Sequence, residues 1–168
     1  NLGHGIVIVG SNNTVDKNII RANSKHGVYI SGSNLTLTHN IIESNDEYGI
    51  YIIGSNSTIT NNVVESNLEW GVYIDSSNLT ASYNTVKSNG GCGIYIIGSN
   101  LTLTNNVVEL NAGDGIYVLG SNLTLAGSTI KSNDGNGVHI YGSNSAIVKN
   151  TIESNLDLGI QIASGEHN

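Results

Sequence analysis

Proline, methionine and phenylalanine are absent from this 168-residue chain, and cysteine and tryptophan occur once each. A single thiol, Cys92, excludes an internal disulfide framework and gives little information about redox compartment. Positive charge is scarce as well: six Lys and Arg stand against 13 Asp and Glu, a formal net charge of −7. No basic tract offers the phosphate contacts that nucleic-acid binding needs, so nucleic acid is not an expected partner. The apolar runs are only a few residues long, too short for a transmembrane segment. No secretory leader precedes Asn1, so the chain is expected to be a mature or trimmed product.

What the chain has instead is repetition. Gly, Asn and Ser recur with a period of 22 residues and no insertion or deletion. The unit approximates G-[IV]-Y-[IV]-x-G-S-N-L-T-L-T-x-N-x-V-[EK]-S-N followed by three variable residues. One position holds Gly5, Gly27 and so on to Gly159, and another holds Asn1, Asn23 and so on to Asn155. Such a period marks a solenoid. Inside each unit the apolar residues alternate with period two, the signature of strands. Ile6/Ile8 recur as Val28/Ile30 through to Ile160/Ile162, all β-branched, as a pleated buried surface favours. Two further inward columns run from Val15 and Leu37 to Ile147, and from Ile20 and Ile42 to Ile152.

Three short strands per unit in such strict register predict an all-β parallel β-helix, or β-solenoid, of about seven and a half coils in one domain, 1–168. At roughly 4.8 Å per rung the rod is about 36 Å long. Glycines 10, 32, 54, 98, 120 and 142, with Ser76 the exception, suit bends of positive φ. The columns that start at Asn1 and at Asn18 read as asparagine ladders, the second interrupted by Ser128.

On these motifs the chain resembles the right-handed parallel β-helix repeats of the pectin-lyase-like superfamily. It is particularly similar to repeats of carbohydrate-binding and sugar-hydrolase β-helices, of the copper-binding protein of nitrous-oxide-reductase maturation, and of archaeal surface proteins. The resemblance implies the fold and its right-handed winding; such repeats serve lyases, hydrolases, epimerases, adhesins and passive scaffolds alike.

The outward columns differ from face to face. The first sheet presents Tyr29, Tyr51, Tyr73, Tyr95 and Tyr117, with apolar neighbours such as Ile53, Ile97 and Leu119, a candidate contact surface. The second presents threonine pairs, cleanest at Thr36/Thr38, Thr58/Thr60 and Thr102/Thr104, which resemble the faces of insect-type ice-binding proteins. The third carries Arg21, Glu43, Glu65, Lys87, Glu109, Lys131 and Glu153, mostly alternating in sign, a solvated face.

Variation concentrates in the three residues before each invariant glycine, from Ser24–His26 through Leu156–Leu158. On this ridge Tyr48 and Trp70 are candidates to stack on a sugar while Asp46, Glu47 and Glu69 take its hydroxyls. His4 and His26, one rung apart, form a weak candidate metal pair with no third ligand of fixed spacing. No cofactor is expected. Gly3-His4-Gly5 spells the GHG of polygalacturonases, but the accompanying aspartate pair and Arg-x-Lys segment are missing. Whether the chain is an enzyme stays open, with a polysaccharide lyase, hydrolase or epimerase as the form it would take.

Asn12, Asn34, Asn56, Asn78, Asn100 and Asn122 begin N-x-T sequons and are glycosylation candidates. Neither end carries a cap, and 164–168 breaks the repeat; the chain is expected to be cut from a longer protein or to stack end to end. The leading expectation is an extracellular or cell-surface structural or adhesive scaffold, self-associating or bound to a surface polysaccharide or protein. Carbohydrate binding or processing through the ridge is the alternative, and ice binding a further one.

Overall fold

The computed structural model describes residues 1–164. Each repeat folds as three strands, first β1 (Ile6–Val9), β2 (Thr14–Asp16) and β3 (Ile19–Arg21). The cycle continues through β21 (Thr151–Glu153) and ends on β22 (Ile160–Ala163). Among the described residues there is no helix, and hence none long and apolar enough to cross a membrane. The expected break over 165–168 lies outside the described residues.

Every strand pairs in parallel with its equivalent 22 residues away, so Tyr51 lies opposite Tyr73, Thr58 opposite Thr80 and Val64 opposite Val86. One eight-stranded and two seven-stranded sheets result, wound as a parallel β-solenoid of seven coils and one closing strand. Register cannot slip by one residue without turning every core side chain to solvent.

The inward columns are buried as the alternation predicts, with Ile30, Ile52, Leu37 and Ile42 fully enclosed. A further inward column, Leu35, Ser57, Leu79, Leu101 and Leu123, fills the corner ahead of the second sheet. Where Ala81 replaces a larger residue, a small cavity opens between Ile59, Val64, Ile74 and Val86.

Both asparagine ladders are present. In one, Asn45 donates from Nδ2 to Asn67 Oδ1 at 2.8 Å and Asn67 to Asn89 Oδ1 at 3.0 Å. In the other, Asn62 donates to Asn84 Oδ1 at 3.1 Å, and Ser128 keeps the chain of bonds by accepting from the Asn106 N–H at 3.1 Å. The amides also bind backbone carbonyls of the preceding coil, such as Asn67 Nδ2 to Ile42 O at 3.2 Å. Side-chain amides thereby satisfy corner backbone groups.

The glycine expectation holds at Gly10, Gly54, Gly98, Gly120 and Gly142, whose φ lies between 138° and 159°, and fails at Gly32. Each coil places three residues in the left-handed region, for example Asn34 (φ 56°), His39 (φ 56°) and Ser44 (φ 55°). Asparagine tolerates this conformation, which explains the Asn12 column. Gly32 has no positive φ; it is glycine because a Cβ there would overlap the Gly10 carbonyl one coil away. Close approach explains the invariant column too: a Cβ on Gly27 would lie 2.5 Å from Ile42 Cγ2 and 2.8 Å from Gly49 O.

Candidate functional site

In-register pairing stacks the outward tyrosines of the first sheet. Ring centroids of Tyr29–Tyr51, Tyr51–Tyr73, Tyr73–Tyr95 and Tyr95–Tyr117 are 5.4, 4.9, 5.6 and 4.9 Å apart, with planes within 9°. A second stack runs beside it on the ridge, His26–Tyr48 at 4.9 Å and Tyr48–Trp70 at 5.3 Å. The two interlock, with His26 5.0 Å from Tyr51 and Trp70 4.5 Å from Tyr95. The tyrosine face and the variable ridge, separate in the sequence reading, are one continuous aromatic platform.

The rings stack on each other, so their faces are largely covered and a ligand meets their edges and hydroxyls. Burial raises the phenol pKa of Tyr48, Tyr73, Tyr95 and Tyr117 above the ordinary tyrosine value, and the Glu69 carboxylate adds to the effect at Tyr48. The phenols therefore stay protonated as hydrogen-bond donors at neutral pH.

The ridge residues that refuse to repeat are matched to one another across coils. Trp70 lies over Gly91, Cys92 over Gly113 and Asp114 over Gly135; a Cβ would collide with the Trp70 and Asp114 side chains at Gly91 and Gly135, and with the Cys92 backbone at Gly113. Where the same position carries Glu47, His26 pairs with it; where it carries Glu69, that carboxylate stands near Tyr48. Asp46 is exposed and makes no ion pair among the described residues. Burial pushes the Cys92 thiol above its usual range, which leaves it a poor nucleophile.

Two histidine–carboxylate pairs bracket the tyrosine stack. At one end His26 Nδ1 lies 3.0 Å from Glu47 Oε2, and the His4 ring stands 4.9 Å away. Burial holds His26 below its ordinary pKa, against the opposing pull of Glu47. At the other end His139 Nδ1 lies 3.1 Å from Asp114 Oδ2, while Asp114 Oδ1 accepts from the Asn136 N–H at 2.6 Å and Nδ2 at 3.1 Å. Tyr117 meets His139 edge-on at 4.7 Å. Sequence reading missed the Asp114–His139 pair, whose only signal is a spacing of one coil plus three residues.

The other faces are simpler. The sequon asparagines form an exposed ladder, with Asn34 donating to Asn12 and Asn56 to Asn34, both at 3.1 Å. On the threonine face Thr60 Oγ1 donates to Thr38 Oγ1 at 3.3 Å. The third sheet carries Arg21–Glu43, Lys87–Glu65 and Lys131–Glu109 ion pairs at 3.5, 2.9 and 3.4 Å. Arg21, the single arginine, is therefore remote from the platform, whose nearest cation on the ridge is Lys25.

A family model described as "Right handed beta helix region" matches residues 1–122 and again 70–168. No curated protein matches the chain in sequence. Among solved structures it is similar to the A-module of the mannuronan C-5 epimerase AlgE6 of Azotobacter vinelandii, at 15% identity and a TM-score of 0.67, over 98% of this chain and 57% of that one. It is also similar to a mutant of the periplasmic alginate epimerase AlgG, at 20% identity and a TM-score of 0.69, over 96% of this chain and 47% of that one. The chain thus spans about half the length of these structures, and the likeness is one of fold.

Proposed function

The chain belongs to the right-handed β-helix family, and we propose that it is a cell-surface or extracellular β-solenoid that binds an extended, uncharged polysaccharide along its aromatic platform. The observation that carries this reading is the fusion of the tyrosine stack with the His26–Tyr48–Trp70 ridge. Together they make a straight strip, parallel to the rod axis, with a hydroxyl or carboxylate repeated at every rung. The rung spacing of about 4.8 Å is comparable to the advance per sugar of an extended glycan. Asp46, Glu47 and Glu69 on its margin accept hydrogen bonds from sugar hydroxyls, and ring edges cover the sugar's C–H faces.

The similar structures are named as epimerases of mannuronan and alginate, so this fold elsewhere works on linear polysaccharides. Their polymer is an anion. Here the platform offers acids and little positive charge, and a net charge of −7 repels a polyuronate, which favours a neutral chain. The test is a glycan array probed with the wild-type chain and with Trp70→Ala, both checked for folding by circular dichroism. Retention of neutral linear glycans by the first and its loss by the second is the expected result; a folded wild-type chain that retains none sinks the reading.

Self-association is the second reading, favoured by the column of Ile53, Ile97, Leu119 and Tyr141 beside the tyrosines, apolar apart from Asp75 between Ile53 and Ile97. Sedimentation velocity on the wild type and on Tyr51→Ser/Tyr73→Ser/Tyr95→Ser decides it. A wild type that sediments as a monomer at all concentrations removes it.

A further inference from the structure

His4, His26 and Glu47, from three successive coils, converge where the ridge meets the end of the tyrosine stack, with ligating atoms all within 4.8 Å of one another. All three side chains are half-buried. Their hydrogen bonding is incomplete in a particular way. The Tyr48 N–H donates to His26 Nδ1 at 3.3 Å, so this nitrogen presents a lone pair. The Glu47 carboxylate nevertheless stands 3.0 Å from the same nitrogen. His4 Nδ1 is buried and has no hydrogen-bond partner at all. The ligating atoms of the three side chains thus lie close together with an unpartnered nitrogen among them, and buried polar atoms without a partner call for an explanation.

We propose that His4, His26 and Glu47 form a binding site for a divalent transition-metal cation of the zinc class. One cation between the three side chains gives His4 Nδ1 the partner it lacks, and draws the His26 Nδ1 lone pair away from the long Tyr48 N–H contact into a coordinate bond beside one from Glu47. Two imidazoles and one carboxylate suit Zn²⁺ and its first-row neighbours, whereas Ca²⁺ and Mg²⁺ select sets made of oxygen alone. Three protein ligands leave a coordination position for water or a ligand hydroxyl. The ligands come from separate coils, so the ion also clips the first coils together and its binding free energy adds to their stability. Polysaccharide binding along the platform is a separate matter, and metal uptake is measured without any glycan.

The competing arrangement is a plain ion pair between a protonated His26 and Glu47, with His4 a bystander. Titration of the chelator-stripped chain with Co²⁺ separates the two. The site predicts saturable uptake of one Co²⁺ per chain with visible d–d absorption, displaced by Zn²⁺ and unaffected by Ca²⁺. Both His4→Ala and Glu47→Gln then weaken uptake by about tenfold or more, with far-UV circular dichroism unchanged. Absence of saturable Co²⁺ uptake by the wild type, or uptake that either folded variant leaves unchanged, overturns the proposal. X-ray absorption at the zinc edge of the wild-type chain needs no variant: two imidazole ligands support the site, and fewer overturn it.

Discussion

Asn67 and Glu69 are two residues apart, yet they belong to regions built on opposite rules. At the inner corner, identity repeats: each Asn of the ladder from Asn23 to Asn133 both donates to and accepts from another Asn, so one side chain serves as its own complement. On the ridge just outside, nothing repeats, and what persists is complementarity between unlike neighbours, a bulky ring over a glycine or a histidine beside a carboxylate. The corner shows how a solenoid is held in register by a single residue type. The ridge shows that sequence variety on a repetitive scaffold includes packing constraint as well as room for function.

The comparison breaks most sharply on Asn67→Ala. That change removes the acceptor shared by the Asn45 Nδ2 and the Asn45 backbone N–H, and takes one donor each from Asn89 Oδ1 and the Ile42 carbonyl, in a buried corner. We expect a loss of about 3 kcal/mol in urea unfolding. Glu69→Ala, on the exposed ridge, is expected to stay within about 0.5 kcal/mol of the parent.

The next largest effect tests complementarity itself. Gly91→Val places a side chain where the Trp70 indole lies. It should cost about 2 kcal/mol and expel the indole, seen as a red shift in its fluorescence. Adding Trp70→Ala to Gly91→Val should recover most of that loss, and a double-mutant cycle with no coupling would show that the ridge residues are independent after all.

Alkaline titration separates the regions by charge. The corner amides do not ionise, but burial raises the phenols of Tyr73, Tyr95 and Tyr117 above the ordinary tyrosine value. With a folded pKa above the unfolded one, their contribution is complete below pH 10 and is lost as pH rises through the folded values. Unfolding free energies should therefore be flat up to that point and fall beyond it. Ultraviolet titration of the same tyrosines should lag behind free tyrosine.

The smallest effect restores a rule. Leu110 stands in the left-handed region (φ 58°) in a column otherwise made mostly of serine, immediately before ladder residue Asn111. Leu110→Asn should stabilise by about 0.5–1 kcal/mol, as a residue suited to that conformation replaces a strained one.

The strands, the sheets and both ladders were legible because each depends on positions 22 apart, and a repeat displays such columns directly. Lateral relations were not. Glu47 reaching His26, Asp114 reaching His139 and the interlocking of Trp70 with Tyr95 join positions 21 or 25 apart. Those offsets depend on which way side chains lean from one column toward the next, and no period reports that. The third metal-ligand candidate, Glu47, was overlooked for this reason. Positive φ is legible at five of the six expected glycines, whereas the Asn and Ser residues that hold the left-handed bends carry no glycine to announce them, and Gly32 is glycine because two backbones nearly touch there.

Trp70 is the single indole in a file of phenols, in ring contact with Tyr48, Tyr73 and Tyr95. Optically that makes the rod an antenna. Light absorbed by any tyrosine in the file passes from ring to ring toward the lower-energy indole, so the excitation spectrum of tryptophan emission contains the tyrosine band while the coils are wound. Unwinding one coil between donor and acceptor cuts the file, and the chain carries its own gauge of where along its length it has opened.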